Sequence, residues 1–201
     1  MLRVGLTGGI ASGKSTVASL LRDYDYPVLD ADSLARELLE PGQDAYQEVV
    51  RDFGDGILAK GGAIDRPKLG ALVFSDATKR ARLNQILHPR IQKVVADWFQ
   101  ALERTGGPDL AFEDAALILE SGAKKNFDRV VVCWCRPEQQ LERLLQRGLS
   151  EADAKLRIAS QMPMEEKRRL ADEQIDCSGS IEDTQRQLQE VIARLKQAAR
   201  R

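Results

Sequence analysis

Apolar and polar positions follow two different periods along this chain, and the switches between them outline its elements. Leu2 to Thr7 is a short apolar run with β-branched content that stops at Gly8-Gly9, and from Lys14 onward Val17, Leu20 and Leu21 recur at helical spacing. That order predicts strand, glycine turn and helix. Pro27-Val28-Leu29 predicts a second strand ending at Asp30 and Asp32, after which Ser33 is expected to cap a helix that Pro41-Gly42 closes. From Ser33 to Thr105 nearly everything reads as helix. The segments are Asp44–Phe53, one opened by Asp65 and Pro67, Asp76–Leu87, and one with Pro89 in its first turn running to Arg104.

Strand patterning returns at Leu110-Ala111-Phe112, at Val130 to Trp134, and weakly at Gln174-Ile175. Between the last two lies an arginine-rich stretch, Arg136 to Arg169. Gly148 should stop one helix there, and Ser150 with Asp153 should open the next as a capping box. A final helix sets Leu188, Val191, Ile192 and Leu195 on one face. The pattern describes a small parallel sheet whose second and third strands are separated by a helical insertion. Open α/β sheets bind ligands at the carboxyl ends of their strands, so such an insertion is placed to hold a substrate.

Composition narrows the classes. The chain has 201 residues, 43% hydrophobic and 30% charged, with 30 Lys+Arg against 31 Asp+Glu, so neither a nucleic-acid footprint nor an acidic tail dominates. No run approaches the ~18 apolar residues of a membrane span, and the glycine-rich start does not suit a signal peptide; a cytoplasmic protein is expected. Three cysteines, Cys133, Cys135 and Cys177, and one histidine, His88, suit neither a disulfide framework nor a structural zinc site. A strand through Arg129-Val130-Val131-Val132-Cys133-Trp134-Cys135 would place Cys133 and Cys135 on one face as small buried residues.

The chemistry concentrates at the first turn. Gly8-Gly9-Ile10-Ala11-Ser12-Gly13-Lys14-Ser15 fits G-x-x-x-x-G-K-[ST] after a predicted strand and before a predicted helix. Backbone N–H groups and the helix N-terminus would cradle phosphates, Lys14 would reach the β- and γ-phosphates, and Ser15 would offer its hydroxyl to Mg²⁺. No N-K-x-D-like base reader accompanies it, which argues against a guanine-nucleotide switch. Phe112-Glu113-Asp114 could bring a carboxylate toward the metal through water, or could simply turn into solvent. Asp32 is the better catalytic candidate. If the second strand lies beside the first, its carboxylate can face the γ-phosphate and take a proton from an alcohol acceptor; a helix cap is the bland alternative. Arg147, next to the Gly148 turn, and Arg143 one helical turn earlier are candidate phosphate contacts, although Glu142, Glu151 and Asp153 could equally pair with such arginines at a solvated surface.

The segments GLTGGIASGKSTVASLL, VLDADSLARELLEPG, LNQILHPRI, AALILESG, RGLSEADAKLRIASQMP and IDCSGS occur in the order that identifies dephospho-CoA kinases. The resemblance spans almost the entire chain. It implies a P-loop NTPase α/β/α fold with three layers and a parallel sheet. The nucleotide-binding core would comprise residues 1–32, 106–135 and 170–201, the helical CoA-substrate domain 33–105, and the helical lid 136–169. It implies transfer of the ATP γ-phosphate to the ribose 3′-hydroxyl of 3′-dephospho-CoA with Mg²⁺, no nucleic acid, no membrane and no obligatory protein partner. By the same resemblance the phosphate loop runs from Gly8 to Thr16, Asp32 meets the ribose hydroxyl, and His88 and Glu120 belong to the substrate site. Arg143 and Arg147 look like lid arginines, with Arg157 and Gln161 in the next helix, and residues 175–180 resemble the adenine-side loop. Two positions depart from the family pattern: Ala116 stands where proline is usual, and Cys177 where asparagine is usual. A nucleoside or nucleoside-monophosphate kinase, and a non-catalytic nucleotide sensor, are the competing readings.

Overall fold

The computed structural model describes residues 1–200. The chain divides into two compact units, one formed by Met1–Asp30 with the chain from Ala101 onward, the other by Ala31–Gln100.

The first unit is built on a five-stranded, fully parallel sheet of β1 (Leu2–Gly8), β2 (Val28–Asp30), β3 (Leu110–Asp114), β4 (Arg129–Trp134) and β5 (Glu173–Asp176), in the order β2-β3-β1-β4-β5. The expectation that β2 adjoins β1 is therefore corrected: β3 lies between them. Burial explains the order. Leu110, Ala111 and Phe112 of β3 are fully covered and suit an interior strand, whereas all three residues of β2 are only partly buried and suit an edge. Helix α1 (Lys14–Asp23) follows β1 and presents Val17, Ala18 and Leu21 to the sheet.

The second unit is helical: α2 (Ala31–Glu37), α3 (Asp44–Phe53), α4 (Arg66–Ser75) and α5 (Ala77–Arg104) as far as residue 100. Helix α2 starts at Ala31, so Ser33 lies inside it and is not its cap; Asp32 sits in its first turn, where a carboxylate complements the positive helix end. Asp65 caps α4 by accepting from Lys68 N at 3.1 Å, as its position before Pro67 foretold. Val49, Ile57, Leu69, Ile86 and Leu87 form this unit's core. Glu48 accepts from Arg82 (2.9 Å) and Arg90 (2.8 Å), joining α3 to α5.

A break between two helices at Pro89 does not occur. Helix α5 runs unbroken for 28 residues with Pro89 inside it. A proline there lacks the N–H for the carbonyl four residues back and crowds it. Packing offsets the loss: Ile86 and Leu87 before it are buried in the core with Ile91 packed against them, and Arg90 Nη1 adds a bond to the adjacent Ile86 carbonyl at 2.6 Å.

The remaining helices of the first unit are α6 (Pro137–Gln146), α7 (Glu151–Ala159), α8 (Met164–Leu170) and α9 (Ile181–Ala199). Gly148 takes φ 85°, as a residue ending a helical segment should, and Ser150 caps α7 by accepting from Asp153 N. The reciprocal half of that capping box is missing, because the Asp153 carboxylate accepts from the Ser150 hydroxyl at 2.7 Å; the complete box is at Ser180 and Asp183, opening α9. Leu188, Val191, Ile192 and Leu195 of α9 pack on the sheet core. Strand β4 stops at Trp134, so Cys135 is not part of the strand face expected for it, yet both cysteines are buried. No helix among the described residues is long and apolar enough to cross a membrane.

Burial holds the His88 imidazole of α5 below its ordinary value. As pH falls through about 6.5 the unfolded chain then takes up a proton before the folded one does, so His88 carries no penalty at neutral pH and lowers stability on the acid side. His88→Asn should therefore lose less stability than the parent between about pH 7.5 and 5.5 in thermal melts. An identical decline in both proteins would remove His88 as a contributor.

Candidate functional site

The turn between β1 and α1 is shaped by close approaches that few side chains permit. A Cβ on Gly8 would lie 2.6 Å from Ser12 Oγ, and one on Gly13 would lie 2.6 Å from the Cys177 Cβ. Gly13 also has φ 99°, and Ala11 takes φ 59°. Ser12 Oγ is buried and finds no hydrogen-bond partner among the described residues. An orphaned hydroxyl inside a turn whose following amides open a helix is what an anionic phosphate group would satisfy.

Lys14 begins α1, and its ammonium forms an ion pair with Asp114 at the end of β3. Asp114 is only 6% exposed. The choice between a metal-facing and a solvent-facing Asp114 thus resolves differently: the carboxylate turns inward to the loop lysine. Register makes this possible, since Asp114 is opposite Leu6 of β1 and Asp30 of β2.

Beside the loop is a cavity of about 210 Å³ lined by Gly13, Ser15, Thr16, Arg143, Arg147 and Cys177, together with Gly179 to Ile181 and Thr184. Arg143 forks between two backbone carbonyls, Ala11 O at 3.1 Å and Cys177 O at 2.8 Å. Arg147 follows α6 at its exposed C-terminal end. The Cys133 and Cys177 thiols act on each other: the neighbouring Cys177 thiol, reinforced by burial, pushes Cys133 up, while Cys133 holds Cys177 below its ordinary value against the opposing effect of its own burial.

Ile10 is held from both sides. Gln161 Oε1 accepts from Ile10 N at 2.7 Å, and Gln140 Nε2 donates to Ile10 O at 2.8 Å. Glu120 also turns inward, where its Oε1 pairs with Lys167 at 2.7 Å and accepts from Met162 N at 3.1 Å. The structure thus brings together residues 8–16, Arg143 and Arg147 in one unit, with Glu120 in the same unit but engaged by Lys167. Asp32 and His88 belong to the helical unit, Asp32 exposed in α2 and His88 half-buried in α5. Sequence reasoning did not single out Lys167, Gln140 or the packing of Cys177 on Gly13. None of the three carries a local motif; only the glycine at position 13 hinted that some neighbour approaches closely.

A phosphate loop at the central strand of a parallel sheet, with flanking helices and an arginine-lined cavity, defines the class as a P-loop kinase fold. A shikimate kinase from Aquifex aeolicus shares that fold at 19% identity, with a TM-score of 0.53 over 98% of each chain. The comparisons go further than class. The dephospho-CoA kinase family model matches residues 2–183. A dephospho-CoA kinase from Geobacillus kaustophilus is 45% identical over 98% of this chain and 96% of its own. A dephospho-CoA kinase structure from Campylobacter jejuni aligns with a TM-score of 0.70 at 29% identity over 98% of each chain, and a Thermus thermophilus crystal structure with a TM-score of 0.82 at 36% identity over 96% and 97%. The chain belongs to the dephospho-CoA kinase family, whose reaction is the ATP-dependent phosphorylation of dephospho-CoA in coenzyme A synthesis.

Gly13→Ala tests the loop geometry. A left-handed non-glycine residue costs roughly 1–2 kcal/mol, and the added methyl would strike Cys177, so ATP affinity measured calorimetrically should fall by about tenfold or more. Parental affinity in a folded variant would show that the loop relaxes without penalty.

Proposed function

We propose that this chain binds ATP in the loop of residues 8–16 and transfers its γ-phosphate to the ribose 3′-hydroxyl of 3′-dephospho-CoA, releasing ADP and coenzyme A. The observation that carries the reading is the Lys14–Asp114 pair beside the orphaned Ser12 hydroxyl, within a chain of this family. Backbone N–H groups of the turn hold the β-phosphate, and Lys14 exchanges its carboxylate partner for the β- and γ-phosphate oxygens. Arg143 shapes the cavity through the Ala11 and Cys177 carbonyls, and Arg147 supplies positive charge to the transferring group.

Asp32 acts as the base. Its carboxylate takes the 3′-hydroxyl proton as the oxygen bonds to the γ-phosphorus, and the bond to the bridging oxygen breaks with its electron pair leaving on ADP. His88 and Glu120 serve the acceptor side, His88 by contact and Glu120 by fixing the turn on which it sits. Ser15 fits Mg²⁺: its hydroxyl is a hard oxygen donor at the mouth of the loop, and this ion characteristically takes one or two protein oxygens with phosphates and water, so the lack of an acidic cluster among the described residues is compatible with it. When bound, the ion would neutralise charge on the β- and γ-oxygens. Three free, buried thiols suit a reducing, cytoplasmic setting.

A coupled ADP-release assay with dephospho-CoA, AMP and shikimate tests the assignment, and turnover with AMP alone would overturn it. Asp32→Asn should keep ATP binding and lose about 10²–10⁴-fold in kcat. Lys14→Ala should weaken ATP binding and transfer together. For Arg147→Ala, kcat should fall more than the acceptor KM rises, because that contact strengthens as charge develops; an effect confined to KM would exclude the role.

A further inference from the structure

Lys167 is fully buried, with 0% exposure, and it is not among the residues that the reaction needs for contact with substrate. Its ammonium donates to Ala116 O at 3.0 Å and pairs with Glu120 at 2.7 Å. Neither partner is an end point. Ala116 O also accepts from Thr7 Oγ1 at 3.1 Å, and Thr7 immediately precedes the phosphate loop on β1. Glu120 Oε1 also accepts from Met162 N, and the neighbouring Gln161 accepts from Ile10 N inside the loop. The bonds close a ring that leaves the loop at Thr7, crosses Ala116, Lys167 and Glu120, reaches residues 161–162 beyond α7, and returns at Ile10.

We infer that Lys167 is a positioning residue for phosphoryl transfer: with Glu120 it fixes the segment between α7 and α8 against the turn after β3, and so sets the backbone of the phosphate loop at Ile10. Stability alone is a poor account of the pair. A buried ion pair is often no more stabilising than apolar side chains of similar volume, and this one leaves Glu120 Oε2 buried without a partner. A fixed geometry is a better one, because each charge has several defined partners and a shift of any member breaks the ring.

The inference rests on the phosphoryl-transfer reading, and a readout independent of turnover separates the two. The double variant Lys167→Met with Glu120→Gln removes both charges and keeps volume and an acceptor for Met162 N, avoiding a lone buried charge. Gln161→Ala breaks the ring elsewhere and leaves the charge pair intact. Each variant should fold, speed amide hydrogen exchange in the peptide containing residues 8–12, and lower kcat by about tenfold, with Gln161→Ala, which leaves Glu120 in place, keeping the dephospho-CoA KM within about twofold of the parent. Combining all three substitutions should cost little beyond either alone, since one ring is broken once. Parental kcat in the folded double variant or in Gln161→Ala overturns the inference, as do effects that multiply. If the parent itself does not phosphorylate dephospho-CoA, the functional reading falls, and unchanged exchange at residues 8–12 in the variants would still refute the ring.

Discussion

The ion pair between Lys14 and Asp114 is the constraint on which the site depends. Lys14 opens α1, at the helix end where the macrodipole is already positive, and its ammonium is largely withdrawn from water. Such a charge needs an anion close by, and the sheet supplies one. Because β3 is inserted between β2 and β1, the carboxylate ending β3 stands beside the strand that leads into the loop. Strand order and loop chemistry are therefore a single requirement. With β2 next to β1, Asp114 would have no register partner on β1 and the lysine would need another counter-charge. In the proposed function a polyphosphate at the loop would compete for the same ammonium, and the pair would be a resting partner that a stronger anion can replace.

Much of the surrounding scaffold speaks through backbone carbonyls. Arg143 reads the carbonyls of Ala11 and Cys177, and Lys167 and Thr7 read that of Ala116. This accounts for two departures from the family pattern without loss of these contacts. Alanine at 116 presents the same carbonyl that a proline would, and cysteine at 177 presents the same carbonyl that an asparagine would. Cys177 adds something of its own through its side chain, which packs on Gly13 and donates to the Ile175 carbonyl at 3.9 Å.

What the sequence disclosed and what it withheld divide along the range of the interactions. The phosphate loop, the Asp65 and Ser150 caps and the apolar face of α9 are set by residues within a turn or two of each other, and all are legible. Strand order is not, because β1 and β3 are joined by pairings about a hundred residues apart in the chain. Pro89 reads as a helix start by local rules, and the helix passes through it because core contacts on both sides outweigh one lost hydrogen bond. Lys167 looks like one member of a solvated basic run, MEEKRRL; nothing in its neighbours says that it alone turns inward.

The two arginines of the cavity show why a count of charges cannot substitute for their placement. Both line the same space, four residues apart. Arg143 gives one N–H from each terminal nitrogen to a fixed carbonyl, so its planar donors hold the Ala11 and Cys177 segments at a set distance, a task for which the point charge of lysine is a poor replacement. Arg147, one turn on and beside the left-handed Gly148, makes no side-chain hydrogen bond or ion pair among the described residues. Its charge therefore remains available to a ligand and has little desolvation to repay when exposed. In the proposed transfer both can therefore serve a ligand, Arg147 with an uncommitted charge and Arg143 with the guanidinium N–H groups that remain beyond its two carbonyl bonds.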